Sequence, residues 1–366
     1  VLYCPCFHKW PPQTMTALGQ GIKTIVLNKD TAILITGATG FVGSYVVRQL
    51  LAAGYTRLHG LRRSNSTLEL LGDHAGQVEW RTADITDYFA LEDALQGIEI
   101  VIHCAALVSF QPADKDRLLT INRGGTRNIV NAALHHKIKR LVYISSVAAL
   151  GRNTPGQLTT EKSKWEDGPK VSQYSRSKFL AELEIWRGQA EGLSVAVLYP
   201  SIVLGGGRGT EGSVKLFDYA AGGPSFYPSG NTGVVDVRDV AQATRLVLER
   251  RENGDTFLLN GSNVSYKTLL HQMVSAMGHP PPARQLSYTA ARWLARLEGI
   301  RSFLTRSAPL LTRETVQSTY QDLVYDSSQS ELVLGLRYHD LEQTIQETAM
   351  LYKVSRADGY GVLAVE

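Results

Sequence analysis

The sequence has few of the residues that define small disulfide-stapled proteins or membrane-spanning proteins. It contains only three cysteines, Cys4, Cys6 and Cys104, in 366 residues, which is too few for a disulfide framework. It also contains no run of about 18 or more apolar residues, so no segment is predicted to span a bilayer. These two absences predict a soluble protein of a reducing compartment, the cytoplasm.

An excess of charge of either sign is also missing. Lys and Arg total 38, Asp and Glu total 34, and the net charge is +4. The two signs are interspersed, and no basic run of the kind that binds nucleic acid or anionic lipid is present. Nucleic acid is therefore not an expected partner. The 43% of hydrophobic residues and the 33 glycines predict one large domain, or two closely packed ones, with many tight turns.

Residues 1–30 are predicted to form a poorly ordered extension. The segment VLYCPCFHKWPPQT lacks the apolar core and the small-residue cleavage site of a secretory signal. Cys4, Cys6 and His8 suggest a metal, but Cys-x-Cys lacks the usual ligand spacing and no second ligand pair follows, so no metal site is expected. Met15 is an alternative start of the chain, and the sequence leaves that choice open.

From Thr31 onward, short β-rich runs alternate with helical stretches, which is typical of a parallel sheet with crossover helices. The predicted fold class is α/β, with a Rossmann-type doubly wound parallel sheet over residues 31–200. A smaller, mainly helical substrate lobe is predicted over 201–352, with some strands returning to the sheet, and a tail over 353–366. Strands are predicted at 31–36, 57–61, 78–82, 99–103, 140–145 and 194–199, and helices at 41–53, 88–95, 115–136, 173–190, 238–251, 265–277 and 287–298.

A glycine motif directly follows the first predicted strand and opens the first helix. In such a turn the first glycine allows a tight bend, the second lets the backbone approach a pyrophosphate, and the third packs the helix on the sheet. The N–H groups at the helix start then face the phosphates. The alternative is a tight turn without a ligand, but the strand–turn–helix context favours a dinucleotide site. Its predicted contacts are Gly37, Thr39, Gly40, Phe41, Val42 and Gly43.

The end of the second strand indicates which dinucleotide binds. The stretch 60–66 contains no acid to hold the ribose diol of NAD. Arg62 can instead bond a 2′-phosphate, with Arg63 and Ser64 nearby, so NADP(H) is preferred over NAD(H). The alternative is an arginine on a solvated strand end. Further cofactor contacts are expected at Asp84, Ile85, Ala105 and Ala106, while Cys104 is expected to pack as a small hydrophobe.

A second constellation combines Tyr174 and Lys178 with the serine pair Ser145-Ser146 at the end of the fifth strand. A tyrosine and a lysine four residues apart lie on one helix face. An unperturbed tyrosine is a poor base at neutral pH, and a nearby ammonium favours its phenolate. The ammonium can also bind the nicotinamide ribose, and a serine hydroxyl can hold the substrate oxygen. The alternative is an accidental pair on a helix surface, which the upstream dinucleotide motif makes the weaker interpretation.

Seven segments follow one another along the chain in this order: ITGATGFVGS, IHCAALVSF, NRGGTRN, YISSVAALG, YSRSKFLAE, LYPSIVLGGG and VDVRDVA. Together they resemble an extended short-chain dehydrogenase/reductase of the NAD-dependent epimerase/dehydratase family. The resemblance runs from about Ile33 to Tyr352 and is strongest to the branch of dihydroflavonol reductases, steroid dehydrogenases and nucleotide-sugar epimerases.

The resemblance implies roles for the residues that match by position. Tyr174 matches the catalytic acid/base, Lys178 its partner, and Ser146 the catalytic serine, with Ser145 as the alternative. Ser146 is also expected to contact the substrate, together with Ser109.

The resemblance also implies contacts outside the catalytic group. Tyr199 and Pro200 match the segment beside the nicotinamide, but the family usually has arginine where Tyr199 stands. A homodimer is expected through the helices at 115–136 and 173–190. Structural rather than catalytic roles are expected for Asn122, Asn128, Asp236, Arg238 and Asp239.

These features predict an NAD(P)-dependent oxidoreductase that interconverts a secondary alcohol and a ketone or aldehyde, with a small molecule as substrate. One alternative is a nucleotide-sugar epimerase or dehydratase that retains and recycles NAD. Another is a binding protein that senses the cofactor without turnover, although such a protein does not need Ser146, Tyr174 and Lys178. The loops at 151–170 and 205–233 carry no motif that identifies the substrate.

Overall fold

The computed structural model describes most of the chain from Leu27 to Asp358. Cys4, Cys6, His8 and Met15 lie outside the described residues, as do parts of both predicted substrate loops. The described residues are 27–151, 157–168, 171–207, 215–250, 252–305, 311–358, 362 and 364–365.

Twelve strands form three sheets in this part of the chain. They are β1 (Ile33–Thr36), β2 (Leu58–Arg62), β3 (Glu79–Thr82), β4 (Ile100–His103), β5 (Arg140–Ile144), β6 (Val195–Pro200), β7 (Ile202–Leu204), β8 (Phe226–Tyr227), β9 (Asn231–Asp236), β10 (Asp255–Leu259), β11 (Ser262–Ser265) and β12 (Arg284–Gln285).

The central sheet has seven strands in the order β10-β6-β5-β4-β1-β2-β3, and every neighbouring pair is parallel. The chain runs outward from β1 to β3 and then returns to the other side of β1 with β4. This reversal of direction creates a crevice beyond the carboxyl ends of β1 and β4, where open α/β sheets bind ligands. The predicted Rossmann-type sheet is confirmed.

Continuous apolar runs explain why the central strands form in a sheet covered on both faces. Every residue of β1 is buried. Ile33 and Ile35 contribute to the apolar layer on one face of the sheet, whereas Leu34 contributes to the layer on the other. The six strands predicted before Pro200 all form, with ends shifted by one or two residues.

Helices α1 and α7 share one of these apolar layers, and α2, α4 and α5 share the other. No helix in the described ranges is both long and apolar enough to cross a bilayer. The helices are α1 (Phe41–Ala52), α2 (Tyr88–Ala94), α3 (Lys115–Leu118), α4 (Gly125–His135), α5 (Gln173–Ala190), α6 (Lys215–Ala221), α7 (Val237–Glu249), α8 (Tyr266–Ala276), α9 (Tyr288–Thr305), α10 (Arg313–Thr319), α11 (Ser328–Leu334) and α12 (Leu341–Asp358).

The helix predicted as one element over 115–136 is divided. A π-helical segment over Leu119–Gly124 separates α3 from α4. Within it, Asn122 accepts a hydrogen bond from the Leu107 N–H (2.7 Å) and donates to Ser177 Oγ (2.9 Å). The widened turn therefore lies where an internal side chain joins the loop after β4 to helix α5, and π-turns often mark such places.

The part of the chain after Pro200 contains more strand than the sequence suggested. Strands β7, β9 and β11 form a separate three-stranded sheet, β8 pairs with β12, and β10 joins the edge of the central sheet beside β6. An apolar cluster that includes Phe217, Met273 and Ile345 lies between this small sheet and helices α6, α8 and α12. The lobe therefore has a core of its own while β10 anchors it to the central sheet.

Candidate active site

The glycine motif makes the close turn that its sequence predicts. Gly37 has φ +67°, and a Cβ there would lie 2.8 Å from the Ala105 nitrogen. A Cβ on Gly43 would lie 2.1 Å from the Gly37 oxygen. Because real Cβ atoms do not approach backbone so closely, both positions require glycine, and the start of α1 is held against the end of β1.

The start of α1 is open to an anion. Gly40 is its N-cap and offers no side-chain cap, and the first turn contains no acid. The first N–H groups of a helix have no partner within the helix, so they and the helix dipole favour a phosphate. Thr39, Phe41 and Val42 are all partly exposed around this turn, and the cradle fits the diphosphate of a dinucleotide.

Arg62 lies at the carboxyl end of β2, next to this turn. Its guanidinium lies 5.8 Å from the centre of the Trp80 ring, and its buried Nε has no hydrogen-bond partner. Ser64 is exposed beside it, and the Arg63 N–H donates to Ser66 Oγ (3.2 Å). A stacked guanidinium with an unsatisfied donor can bind an anion.

The predicted contacts after β3 adopt a tight local structure. The Asp84 carboxylate accepts hydrogen bonds from the Thr86 N–H (2.8 Å) and the Thr86 hydroxyl (2.7 Å). Burial acts to raise the pKa of Asp84, but the Thr86 hydrogen bonds outweigh it and the pKa is lowered. Ile85 is buried, and the Asn128 amide donates to its carbonyl (3.1 Å). The turn between β3 and α2 is thus fixed from α4.

The end of β4 brings small residues next to the glycine turn. The Ala105 N–H donates to Thr36 Oγ1 (3.2 Å), and Ala106 is exposed. Burial raises the pKa of the Cys104 thiol to about 12, although the Lys178 charge acts to lower it. A thiol with so high a pKa is not a thiolate nucleophile at neutral pH, so Cys104 packs as a small hydrophobe.

Helix α5 carries Tyr174 and Lys178 one turn apart at its start. Ser172 caps the helix by accepting a hydrogen bond from the Ser175 N–H (3.0 Å). The Gln173 N–H donates to the Glu314 carboxylate of α10 (3.3 Å). The cap and the α10 contact fix where the helix begins, and Tyr174 and Lys178 are both buried as a result.

Ser146, rather than Ser145, meets the catalytic candidate. The Ser146 side chain lies beside the Tyr174 hydroxyl and acts to lower its pKa, and the Ser146 Oγ accepts a hydrogen bond from the Ala148 N–H (3.1 Å). Ser145 donates to Glu182 (3.1 Å) on the inner side of α5. Two hydroxyls, those of Ser146 and Tyr174, therefore meet at the carboxyl edge of the sheet, and the Phe110 ring lies 5.5 Å from the Tyr174 ring.

The pKa of Tyr174 differs from the sequence-based expectation. Burial raises it to about 12, and the nearby Ser146 side chain only partly opposes that increase. Lys178 was expected to lower it. Its ammonium instead donates to the Tyr143 hydroxyl (2.7 Å) and the Ile144 carbonyl (3.0 Å). Because desolvation dominates and the ammonium is directed to β5, Tyr174 is a protonated phenol in this structure.

Lys178 is a fully desolvated lysine. Burial lowers its pKa to about 7, while the charge of Glu182 acts to raise it. The Tyr143 ring also lies 4.3 Å below the ammonium. Its protonation therefore changes near neutral pH, and the groups that surround it decide how much of it is charged.

Glu182 is a buried residue of the site that the sequence analysis missed. Burial raises its pKa, while hydrogen bonds and the Lys178 charge act to lower it. Its carboxylate accepts hydrogen bonds from the Tyr199 hydroxyl (2.7 Å), the Trp186 indole (3.0 Å) and Ser145 (3.1 Å). These three donors oppose the effect of burial on the carboxylate, but burial is the larger effect and the pKa of Glu182 stays raised. The four-residue steps from Tyr174 to Lys178 and on to Glu182 place all three on one helix face, and this was the available signal.

Tyr199 stands where an arginine was expected beside the nicotinamide. It is buried, and its hydroxyl bonds Glu182. Tyr199, a residue of β6, therefore supplies a neutral donor to the Glu182 carboxylate. Pro200 is the last residue of that strand.

The remaining predicted residues make local contacts. Ser109 donates to the Asp114 carboxylate (2.6 Å) and accepts from the Gln111 N–H (3.2 Å), so its hydroxyl is already engaged. Asp236 caps α7, pairs with Arg238 (2.7 Å) and accepts from Thr344 of α12. Asp239 accepts from His339 (2.5 Å). Asp236, Arg238 and Asp239 thus join the lobe to α7, in agreement with the structural role predicted for them.

Comparisons with known proteins agree with this geometry. The chain is 28% identical over 309 residues to sterol demethylase protein B of Methylococcus capsulatus, covering 83% of this chain and 92% of that protein. It is 31% identical over 256 residues to cinnamoyl-CoA reductase 1 of Oryza sativa subsp. japonica, covering 66% and 74%. The crystal structure of gox2253 superposes with a TM-score of 0.76 at 28% identity, covering 90% of this chain and all of that one.

The model of the NAD dependent epimerase/dehydratase family matches residues 33–259. This range includes the glycine turn, Ser146 and both Tyr174 and Lys178, and it ends with the last strand of the central sheet. The chain belongs to the NAD dependent epimerase/dehydratase family and is an NAD(P)-dependent oxidoreductase.

Proposed function

We propose that this protein uses NADPH to reduce a ketone or aldehyde of a small molecule to an alcohol. The observation that carries the proposal is the buried Tyr174 hydroxyl, held as a protonated phenol with the Ser146 side chain beside it. Reduction needs a proton donor beside the substrate oxygen, and a phenol with a raised pKa keeps its proton at neutral pH.

In the proposed reaction the substrate oxygen accepts hydrogen bonds from both hydroxyls. The nicotinamide, when bound, supplies the hydride to the substrate carbon. As negative charge develops on the oxygen, Tyr174 transfers its proton and Ser146 keeps its hydrogen bond. In this proposal the Lys178 ammonium, one helical turn away, turns from the Tyr143 hydroxyl toward Tyr174 and stabilises the tyrosinate that remains.

The cofactor is held, in this proposal, along the carboxyl edge of the sheet. The glycine turn and the open start of α1 take the diphosphate, and the residues after β3 and β4 line the path toward Tyr174. The proposed contacts are Gly37, Thr39, Gly40, Phe41, Val42, Gly43, Arg62, Ser64, Asp84, Ile85, Ala105, Ala106, Tyr174, Lys178, Tyr199 and Pro200.

Arg62 supports NADP(H) over NAD(H). Its guanidinium is stacked on Trp80 with an unpartnered buried Nε, and the stretch 60–66 supplies no carboxylate for a ribose diol. A 2′-phosphate would pair with the charge of this guanidinium.

A recycling epimerase is the second candidate, because the family includes such enzymes and the Ser146, Tyr174 and Lys178 arrangement would serve either reaction. The name of the Oryza relative, cinnamoyl-CoA reductase 1, favours net reduction. The test supplies NADPH deuterated at the transferred position with aryl aldehydes and alicyclic ketones.

We expect deuterium on the carbinol carbon and one NADPH consumed per product. An inverted hydroxyl centre without deuterium or net cofactor oxidation, on a nucleotide-sugar substrate, would instead establish the epimerase. Tyr174→Phe should abolish the reaction in either case, so this variant shows whether the observed turnover comes from the described site.

A further inference from the structure

Helix α9 exposes large apolar side chains to solvent, whereas a helix of a water-soluble domain usually buries them against the protein. Ala291 and Ala295 are buried and pack with Val316 of α10. Trp293 is 63% exposed, Leu297 60% and Ile300 58%. Among the described side chains of this helix, the two alanines and the Tyr288 ring, 5.4 Å from the Tyr320 ring, contact the protein, whereas the large apolar side chains of its middle turns are exposed.

The exposed side chains form one stripe. Trp293, Leu297 and Ile300 are spaced at i, i+4 and i+7, which places them on a single face, and Leu294, 46% exposed, widens it. Since two alanines of the opposite face contact α10, the stripe points away from the described part of the protein. Contiguous exposed apolar surface of this kind marks an interaction site.

Arginines border the stripe on both sides. Arg292 and Arg296 lie along one edge. The guanidinium of Arg292 lies 5.7 Å from the centre of the Tyr288 ring, and that of Arg296 lies 5.0 Å from the centre of the Trp293 ring. Neither forms an ion pair within the described residues. Arg301 lies along the other edge and pairs with Glu298 (2.6 Å). The linear sequence shows no basic run because apolar residues separate the arginines, whereas the helix aligns them beside the stripe.

We propose that α9 docks this protein on the surface of a bilayer containing anionic phospholipid. The charge decides the partner. A second copy of the same face would bring like-charged arginines together, whereas anionic headgroups complement them. A helix with Trp and Leu on one face and arginines at its borders lies in the headgroup plane with its apolar side chains inserted, and the arginines extend toward the phosphates.

The docking surface lies next to the catalytic helix. α9 packs on α10, and Glu314 of α10 binds the N–H of Gln173, the residue before Tyr174. A protein bound through α9 therefore holds the start of α5 close to the bilayer. The docking itself does not depend on the proposed reduction.

Vesicle co-sedimentation of the full chain tests the proposal. We expect binding to phosphatidylcholine vesicles that contain phosphatidylglycerol, and weaker binding at high salt or with phosphatidylcholine alone. The double variant Trp293→Ser/Leu297→Ser should bind the anionic vesicles at least about tenfold more weakly. Arg292→Gln and Arg296→Gln should each lose about fivefold on the anionic vesicles only. Leu332→Ser, at an 81% exposed leucine of α11, is the matched control and should bind like the unchanged protein.

Circular dichroism verifies that each variant is folded, and analytical ultracentrifugation measures its oligomeric state. No sedimentation of the unchanged protein with anionic vesicles would overturn the proposal. So would equal losses in the stripe variant and in Leu332→Ser. A dimer that dissociates only in the stripe variant, without vesicle binding, would assign the face to a second copy and also overturn it.

Discussion

Tyr174 is the one side chain whose proton the proposed reaction consumes. Tyr174→Phe is expected to lower kcat by about 10²–10⁴, the usual contribution of one acid/base group, with little change in cofactor affinity. Because burial raises the pKa of Tyr174 to about 12, the donor stays protonated well above neutral pH. Reduction should therefore show no loss from Tyr174 ionisation across the neutral range.

Steady-state kinetics and a cofactor titration of Tyr174→Phe measure the two quantities separately. Tyr55→Phe is the matched control, because that tyrosine is also buried but bonds Glu249 (3.1 Å), away from Ser146. It should alter the free energy of unfolding and leave kcat unchanged. Normal turnover by Tyr174→Phe would remove this residue from the reaction.

Arg62 is expected to distinguish the two coenzymes. Arg62→Ala removes a charged donor from the proposed 2′-phosphate site, so NADPH should bind about ten- to a hundredfold more weakly, equivalent to roughly 1.5–3 kcal/mol. NADH should be almost unaffected. Fluorescence titration with each coenzyme measures both constants, and Arg57→Ala, just before β2 at its other end, is the control. Equal weakening of both coenzymes would show that Arg62 supports the fold of this edge instead.

Helix α5 combines the proton donor, the buried ammonium and a buried carboxylate at successive four-residue steps. The Glu182 charge acts to raise the pKa of Lys178 against the burial that lowers it to about 7. Glu182→Gln removes that charge, so the pKa of Lys178 should fall further and the lysine should lose its charge at lower pH. The alkaline limb of kcat/KM should move to lower pH by about one unit.

The pH profile of kcat/KM is the readout, since loss of packing alone would lower activity without moving the limb. Glu182→Asp should return the limb toward its original position because it restores the charge. Glu184→Gln, which alters a carboxylate of the same helix paired with Arg187 (3.1 Å), serves as the control. A limb that stays in place in Glu182→Gln would mean that the carboxylate has no influence on Lys178.

Sequence periodicity predicted the elements whose residues interact locally. The spans of β1 to β6 and of α5 follow from apolar runs and helical spacing, and α5 was predicted with both of its ends. The π-segment before α4 was not predicted, because it depends on the Asn122 contacts with Leu107 and Ser177. The β7-β9-β11 sheet was missed because β7 and β11 are short and because β9 has only two adjacent large apolar residues, Val234 and Val235.

The same distinction applies to the candidate site. The glycine turn and the Tyr174–Lys178 pair are local patterns and were predicted. The Glu182–Tyr199 hydrogen bond joins a helix to a strand, and the Trp80 stack on Arg62 joins neighbouring strands. The sequence fixes neither of these distances, since both depend on how the sheet orders its strands.

His103 joins three elements of the fold, β1, α4 and β5, behind the site. Its ring nitrogens contact Thr36 Oγ1 of β1 (2.7 Å) and Thr126 Oγ1 of α4 (3.0 Å). The ring stacks on Tyr143 of β5 at 5.4 Å. Burial, with a smaller contribution from the Lys178 charge, lowers the pKa of His103 to about 3. The folded protein therefore holds this imidazole neutral, whereas the unfolded chain protonates it below about pH 6.5.

This difference in pKa predicts how acid destabilises the fold. A depressed pKa gives stability that is present above about pH 6.5 and is lost as the pH falls toward 3, with a slope of up to about 1.4 kcal/mol per pH unit. Denaturant unfolding at a series of pH values measures the slope. In His103→Gln the slope should be shallower, because about one proton fewer is taken up on unfolding, even if the variant is less stable at every pH. His135→Gln, at an exposed histidine, should keep the original slope. Parallel loss of stability below pH 6.5 in His103→Gln and in the unchanged protein would show that protonation of His103 does not oppose folding. The acid sensitivity would then arise elsewhere, for example at His59, a buried histidine whose pKa burial also lowers.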